Sequence, residues 1–303
     1  MEFQIRHRTT YRYLQEVAHS HHMLHLEPRS TGIQGVSDAQ IQVTPAPARR
    51  VKRSDAFGNP AEWLSLDEPH TVLEILSESR VRTASGPLPS KAEGGPWERV
   101  RAILESPGTD EERDAVQYLF DSPYIWFTAD LAAYARESFP PGRPLLEACL
   151  GLMARIHRDF RYDTTVTDVS TPVDRVFAIR AGVCQDLAHL MIACLRALGL
   201  PARYVSGYLL TEPPPGQQKL LGADASHAWL SVYCPGPGWV DLDPTNDLMP
   251  RDGHITVGWG RDYGDVAPIN GIVNGGGEHL IEVAVDVIPL LAGPLPAGSG
   301  SPS

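Results

Sequence analysis

Cysteine is scarce in this chain. None of the 4 in its 303 residues (Cys149, Cys184, Cys194 and Cys234) is spaced from another as a paired metal ligand or in the density of a disulfide scaffold. Long apolar runs are lacking too. Nothing reaches membrane-spanning length, and the first residues, MEFQIRHRTTYRY, carry charge from the second position with no apolar core of leader length. Positive charge is the minority sign, 26 Lys and Arg against 37 Asp and Glu, for a net charge of -11 and a pI of about 5.4. These shortages argue against a disulfide framework, a membrane span and a general nucleic-acid partner, and they predict a reduced, cytoplasmic protein.

What is present is ordinary for a folded protein: 42% hydrophobic and 21% charged residues. At 303 residues the chain exceeds what one core usually organises, so two domains are expected. Residues 1–84 favour strands. Phe3, Ile5 and His7 alternate with polar residues, and 11–13, 41–43 and 72–76 follow suit. The basic cluster Arg49, Arg50, Lys52 and Arg53 between strand-like segments is expected to be a solvated loop. Residues 85–96 concentrate Gly, Pro and Ser without periodicity and mark a linker.

Helical spacing dominates next. Leu146, Cys149, Leu150, Met153, Ile156 and Phe160 form one stripe behind Pro144. A second helix is predicted from Cys184, with Leu187, Leu190, Met191, Cys194, Leu195 and Leu198 on a stripe and Gly199 and Pro201 as its stop. Ala188, Ile192 and Ala193 cover much of its remaining surface, which predicts burial nearly all round. Strands are expected over 202–210, 226–233 and 239–242, the last two joined by a turn at Pro235-Gly236-Pro237-Gly238. A strand over 279–288 is free to pair with either domain, a catalytic domain is bounded at 97–290, and 291–303 reads as a disordered tail.

The chemistry centres on Cys184. At a helix start, unpaired N–H groups and the positive dipole end favour thiolate, and Gly182 before it is expected to let the backbone turn sharply and leave room for substrate. A catalytic cysteine needs a base and a group to orient that base. Period 2 sets His227, Trp229, Ser231 and Tyr233 on one face of a strand, expected to point away from the core, with Ala228, Leu230 and Val232 opposite. On the partner strand, Trp239, Asp241 and Asp243 share the polar face. If Tyr233 pairs with Trp239, Asp243 becomes the diagonal neighbour of His227. The residues alone leave open a structural cysteine and a structural His–Asp pair.

Four blocks in order, Gly182-Val183-Cys184-Gln185-Asp186, Ala202-Arg203-Tyr204-Val205-Ser206-Gly207-Tyr208, His227-Ala228-Trp229 and Leu242-Asp243-Pro244-Thr245, closely resemble the bacterial transglutaminase-like family of the papain-like cysteine fold. The likeness extends to Phe160-Arg161-Tyr162 and to Gly260-Arg261-Asp262-Tyr263, and residues 1–84 look like the family's amino-terminal β domain. The resemblance implies an α+β chain: a β-rich domain, then a nucleophile helix packed on an antiparallel sheet. It also implies a triad of Cys184, His227 and Asp243, selecting Asp243 over Asp241. An oxyanion hole would use the Cys184 N–H and a side chain, with Tyr162 as candidate and Gln185 behind it. Tyr204, Trp229 and Tyr263 are candidate cleft walls, and Arg261 and Asp262 either pair with each other or position substrate.

The expected reaction is formation of a thioester on Cys184 from a peptide or protein amide, followed by hydrolysis; amine transfer and a non-catalytic scaffold are the rivals. No cofactor or metal is expected. The histidines from His19 to His25 lack the pattern of a closed zinc shell, the acidic run from Asp241 to Asp252 lacks the glycine and glutamate of a calcium loop, and His189 reads as a satisfied buried histidine.

Overall fold

The computed structural model describes residues 1–211 and 226–290; the tail expected at 291–303 lies outside the described residues. Its first sheet has seven antiparallel strands built on β1 (Glu2–Leu24), a single 23-residue strand where the sequence pattern indicated separate short runs. β2 (Gln34–Thr44), β3 (Arg49–Ser54), β4 (Pro60–Leu66) and β5 (His70–Thr83) complete its N-terminal part in the order β2-β5-β1-β4-β3. The predicted alternation holds where one face is covered: Phe3, Ile5, His7 and Thr9 are buried while Arg6 and Arg8 are exposed.

The basic cluster 49–53 is a correction. It is the edge strand β3, exposed throughout, with Arg50 paired to Glu62 and Lys52 to Glu27. With solvent on both faces no apolar alternation can develop, so the pattern that reveals other strands is missing, and positive charge on an edge discourages pairing with other chains.

The second half carries α1 (Glu98–Leu104), α2 (Asp110–Val116), α3 (Ala129–Arg136), α4 (Leu145–Asp159), β6 (Arg161–Tyr162), α5 (Val173–Ile179), β7 (Ala181–Gly182) and α6 (Cys184–Ala197). A four-stranded antiparallel sheet follows, ordered β10-β9-β8-β11 from β8 (Ala202–Leu209), β9 (Ser226–Cys234), β10 (Gly238–Leu242) and β11 (His254–Gly260). α6 is buried continuously from Asp186 to Arg196, as its all-round apolar surface predicted, and forms one core with α4, β8 and β9. The chain then returns to the first sheet. β12 (Ile269–Gly275) and β13 (His279–Pro289) both run antiparallel to β1, which settles the pairing that the sequence left open for 279–288.

Two amide side chains join the sheets. Gln34 accepts from Thr256 N (2.9 Å) and donates to Thr256 O (2.7 Å), while Asn59 accepts from Trp259 N (2.9 Å) and donates to Trp259 O (2.8 Å). Each imitates a strand partner along the outer edge of β11, whose backbone groups would otherwise be buried unpaired. An apolar cluster of Phe3, Ile5, Val81, Tyr208, Ile255 and Val257 fills the space beside them. Asn59→Ala should therefore destabilise the protein by about 1–3 kcal/mol for each orphaned group. Gln40→Ala, whose amide reaches only Glu78 at 3.5 Å, should be near neutral in the same denaturant titration. Equal stabilities for the two variants would contradict this account.

Candidate active site

Cys184 is the first residue of α6 and lies half-buried, whereas Cys149, Cys194 and Cys234 are buried. The approach to it is fixed by backbone pairing: β6 lies parallel to β7, with Tyr162 opposite Gly182, and Asp163 N donates to Gly182 O at 3.0 Å. Asp186, in the first turn, accepts from Val183 N (2.8 Å) and Thr167 Oγ1 (2.7 Å), capping the helix from inside. The requirement for Gly182 comes from this cap. A Cβ there would meet the Asp186 carboxylate at 2.6 Å. The sharp turn expected at Gly182 is not present, since the residue lies in β7, and the glycine makes room for Asp186.

His227 stands on β9, and Tyr233 pairs with Trp239 across the hairpin as anticipated. Its Nε2 donates to Asp243 Oδ2 at 2.7 Å, which leaves Nδ1 for the Cys184 thiol, a hydrogen-bond partner of the same ring. Cys184, His227 and Asp243 are thus brought together. Asp243 is fully buried at the end of β10 and accepts widely. Oδ2 also receives Asn246 Nδ2 (2.7 Å) and His254 Nε2 (3.0 Å), and Oδ1 receives the N–H groups of Thr245 (3.0 Å) and Asn246 (3.2 Å). His157 of α4 donates from Nδ1 to Thr245 O at 2.9 Å, holding the turn that carries the carboxylate.

The sequence reading missed His254, which opens β11 after a turn and reaches Asp243 from across the sheet. The face carrying His227, Trp229, Ser231 and Tyr233 is buried, because the first sheet and the segment after it cover the side expected to look outward. Trp229 packs edge-on against His254 (5.2 Å between centroids) and fills the space over Gly207, where a Cβ would strike its ring at 2.5 Å.

Among the other expected site residues, Tyr162 is 54% exposed and close enough to Cys184 for the two to interact electrostatically, as does the buried Tyr204. Gln185 is turned aside, its Nε2 donating to Val169 O at 3.0 Å, so its amide faces a loop and not a bound carbonyl. Tyr263 packs edge-on to Tyr204 (6.4 Å), and its N–H donates to Nε2 of His189 (3.1 Å). His189 is correspondingly a neutral acceptor, burial lowering its pKa to about 3. Arg261 and Asp262 do not pair: Arg261 binds Asp265, and Asp262 accepts from Tyr124 N and Gly264 N.

The histidines of β1 and the residue just after it have separate partners, His19 with Asn274, His21 with Ser65, His22 with Ser20 and His25 with Ala267 O. Likewise Asp241 engages Ser231 and Asp252 the Ser85 N–H, apart from Asp243. Among the described residues, His227, Asp243 and His254 are the one set of three that bring ligand-type atoms within 4.8 Å of one another. Two imidazole N–H donors on one carboxylate oxygen account for that grouping through hydrogen bonds alone.

A nucleophile helix packed on an antiparallel sheet that presents histidine and aspartate at its mouth defines a cysteine-enzyme fold of papain-like architecture. The chain belongs to the bacterial transglutaminase-like family: residues 3–82 match the bacterial transglutaminase-like N-terminal region and residues 132–244 the transglutaminase-like superfamily. It is 43% identical to an uncharacterised protein of Mycobacterium tuberculosis, covering 95% of this chain and 92% of the relative. It is also 37% identical over 100 residues to a protein-glutamine gamma-glutamyltransferase of Pseudomonas aeruginosa, a match spanning 31% of this chain and 15% of that protein. A crystal structure of a candidate cysteine protease from Cytophaga hutchinsonii superposes with a TM-score of 0.75 at 24% identity over 99% of this chain and 95% of that one, and so shares its fold. Among the described residues no helix is long and apolar enough to cross a membrane.

Burial by itself would lower the pKa of His227, but its hydrogen bonds to Asp243 and Cys184 outweigh that and raise it from 6.5 to about 9. Burial pushes the Asp243 carboxyl the other way, yet the donors on it hold it well below the usual carboxylate range. Because the folded pKa of His227 exceeds the unfolded one, the stability it supplies is fully present below pH 6.5 and is lost as pH rises through about 9. The melting-temperature margin of wild type over His227→Asn should accordingly shrink between those limits. A margin flat with pH would refute the assignment.

Proposed function

We propose that this protein cleaves amide bonds through a thioester on Cys184, with a peptide or glutamine-type amide as acyl donor and water as the favoured acceptor. The observation that carries this reading is the continuous hydrogen-bonded row from the Cys184 thiol through the His227 ring to a buried carboxylate. In it, Nδ1 of His227 accepts the thiol proton, the sulfur adds to the amide carbonyl, and the imidazolium returns the proton to the departing amine as the C–N bond breaks. Asp243 orients the ring and stabilises its charged form throughout. Water, deprotonated by the same nitrogen, then opens the thioester and restores the thiol. The N–H of Cys184 at the helix start and the hydroxyl of Tyr162 are the proposed donors to the oxyanion.

Hydrolysis is favoured because the nucleophile is only half-buried and Tyr162 beside it is exposed, so solvent reaches the acyl group. Amine transfer is the second reading, supported by the likeness over 100 residues to the Pseudomonas glutamyltransferase. The need for a free thiol at Cys184 fits a reducing compartment, and the cytoplasm is the proposed location.

Incubation with a glutamine-containing peptide library and a primary amine, read by mass spectrometry, tests the proposal. Cleaved or deamidated peptides are expected with wild type and at least a thousandfold less, to order of magnitude, with Cys184→Ala. Amine adducts on glutamine would make the protein a transferase, and unchanged peptides together with equal alkylation of both proteins by iodoacetamide would leave a scaffold. Tyr162→Phe should lower kcat by roughly a hundredfold while leaving Cys184 alkylation intact. An unchanged kcat would remove Tyr162 from the oxyanion hole.

A further inference from the structure

Oδ2 of Asp243 is a crowded acceptor. His227 Nε2 (2.7 Å), Asn246 Nδ2 (2.7 Å) and His254 Nε2 (3.0 Å) all donate to it, although one carboxylate oxygen offers about two lone pairs. Donors that share an acceptor draw on the same charge, so each affects how strongly the oxygen holds the other two. Asn246 is exposed, and water can take its place. His254 is different, because its side chain is only 7% exposed and its backbone is fixed. It pairs with Leu209 of β8, and its N–H donates to Arg251 O at 2.8 Å.

β8 runs between the strands of the two histidines. The residue it sets opposite both His227 and Thr256 is Gly207, and the Trp229 ring lies over that glycine and edge-on against His254. On its other side His254 borders a cavity of about 900 Å³, lined also by Gln34 of β2 and by residues 85–89. None of Cys184, His227 and Asp243 lines that cavity, so His254 meets the triad at the carboxylate and beside the His227 ring (5.8 Å between centroids).

We propose that His254 is a positioning residue for proton transfer: by taking part of the charge on Asp243, it lets the carboxylate orient His227 without retaining the proton of the imidazolium too firmly. The role rests on the thioester reading. There the proton passes from the sulfur to Nδ1 of His227 and on to the amine nitrogen as the C–N bond breaks, so the base must take it and give it up in turn. A carboxylate relieved of one donor favours imidazolium more strongly, which helps the first transfer and hinders the second. The direction is the same whether the His254 ring donates as a neutral or a charged group, since both withdraw negative charge from Oδ2. Among the described residues, the titratable groups facing His227 are Cys184 from α6, Asp243 after β10 and His254 from β11. Farther out, Tyr162 of β6 and Tyr204 of β8 act on Cys184, and His157 of α4 bonds Thr245 O.

Histidine-ring NMR in the Cys184→Ala protein, where the thiol is absent and turnover cannot intervene, follows the protonation of His227 directly. His254→Phe keeps a ring against Trp229 without a donor, and His254→Gln keeps an N–H at similar reach. The His227 midpoint is expected to rise by at least about half a pH unit in His254→Phe and by less than about half that in His254→Gln. His254→Leu makes the same comparison should Phe prevent folding. With Cys184 restored, iodoacetamide should alkylate His254→Phe in acid at least as fast as wild type, while kcat for peptide cleavage falls at least about threefold. Loss of packing alone would slow both. An unmoved or lowered His227 midpoint without the donor, an equal rise in His254→Gln, or a parallel loss of alkylation and turnover overturns the proposal. The NMR and alkylation readouts need no substrate, so wild type that cleaves no peptide refutes the proposed reaction and leaves the effect of His254 on His227 to be decided by them.

Discussion

A single buried carboxylate organises the second half of this protein. Asp243 has no exposed surface and sits between two imidazoles, a carboxamide and two backbone N–H groups. Burying an unpaired carboxylate would cost several kcal/mol, to order of magnitude, and it is the density of donors that makes the position tenable. The donors come from separated parts of the chain: His227 from β9, His254 from β11, and Asn246 from the turn that α4 holds through His157. Satisfying the charge therefore fixes the relative placement of three strands and a turn, and the orientation of His227 follows from that.

The first sheet is bound into the same arrangement. β11 carries His254, and the outer edge of β11 is paired through the side chains of Gln34 and Asn59. Those residues are held by the N-terminal sheet, which is itself completed by β12 and β13 from the far end of the chain. The path from Asn59 through Trp259 along β11 to His254 and Asp243 is continuous covalent and hydrogen-bonded structure. An N-terminal sheet remote from Cys184 in sequence thus supports one of the two histidines on the carboxylate.

Local pattern made much of this legible. α6 announced itself by apolar residues on every side and by Gly199 and Pro201 at its end, and the register of the β9–β10 hairpin followed from alternation and a Pro-Gly turn. Long-range facts were not legible. Whether the polar face of β9 meets water depends on what packs over it, and nothing in residues 226–234 encodes the first sheet. His254 drew no notice, because its partner lies 11 positions away beyond the end of another strand. β12, with glycine and asparagine at four of its seven positions and mostly exposed, carries too little apolar signal to be read at all. Gly182 was singled out correctly but for the wrong cause, since the atom that forbids a Cβ belongs to a carboxylate four residues on.

The position of His254 links the buried carboxylate to the cavity beside it. Its ring bonds Asp243 on one side and, with the edge of Trp229 against it, borders the cavity on the other. Trp229 in turn lies 5.9 Å from the ring of His227. Withdrawing His254 from the carboxylate would remove one of three side-chain donors and leave His227 to carry more of the neutralisation of Asp243, strengthening its hold on the proton. A base that binds its proton more tightly takes it from the thiol more readily and returns it to the leaving amine less readily. In the proposed mechanism the second histidine would therefore bear on the balance between forming the thiolate and releasing the amine.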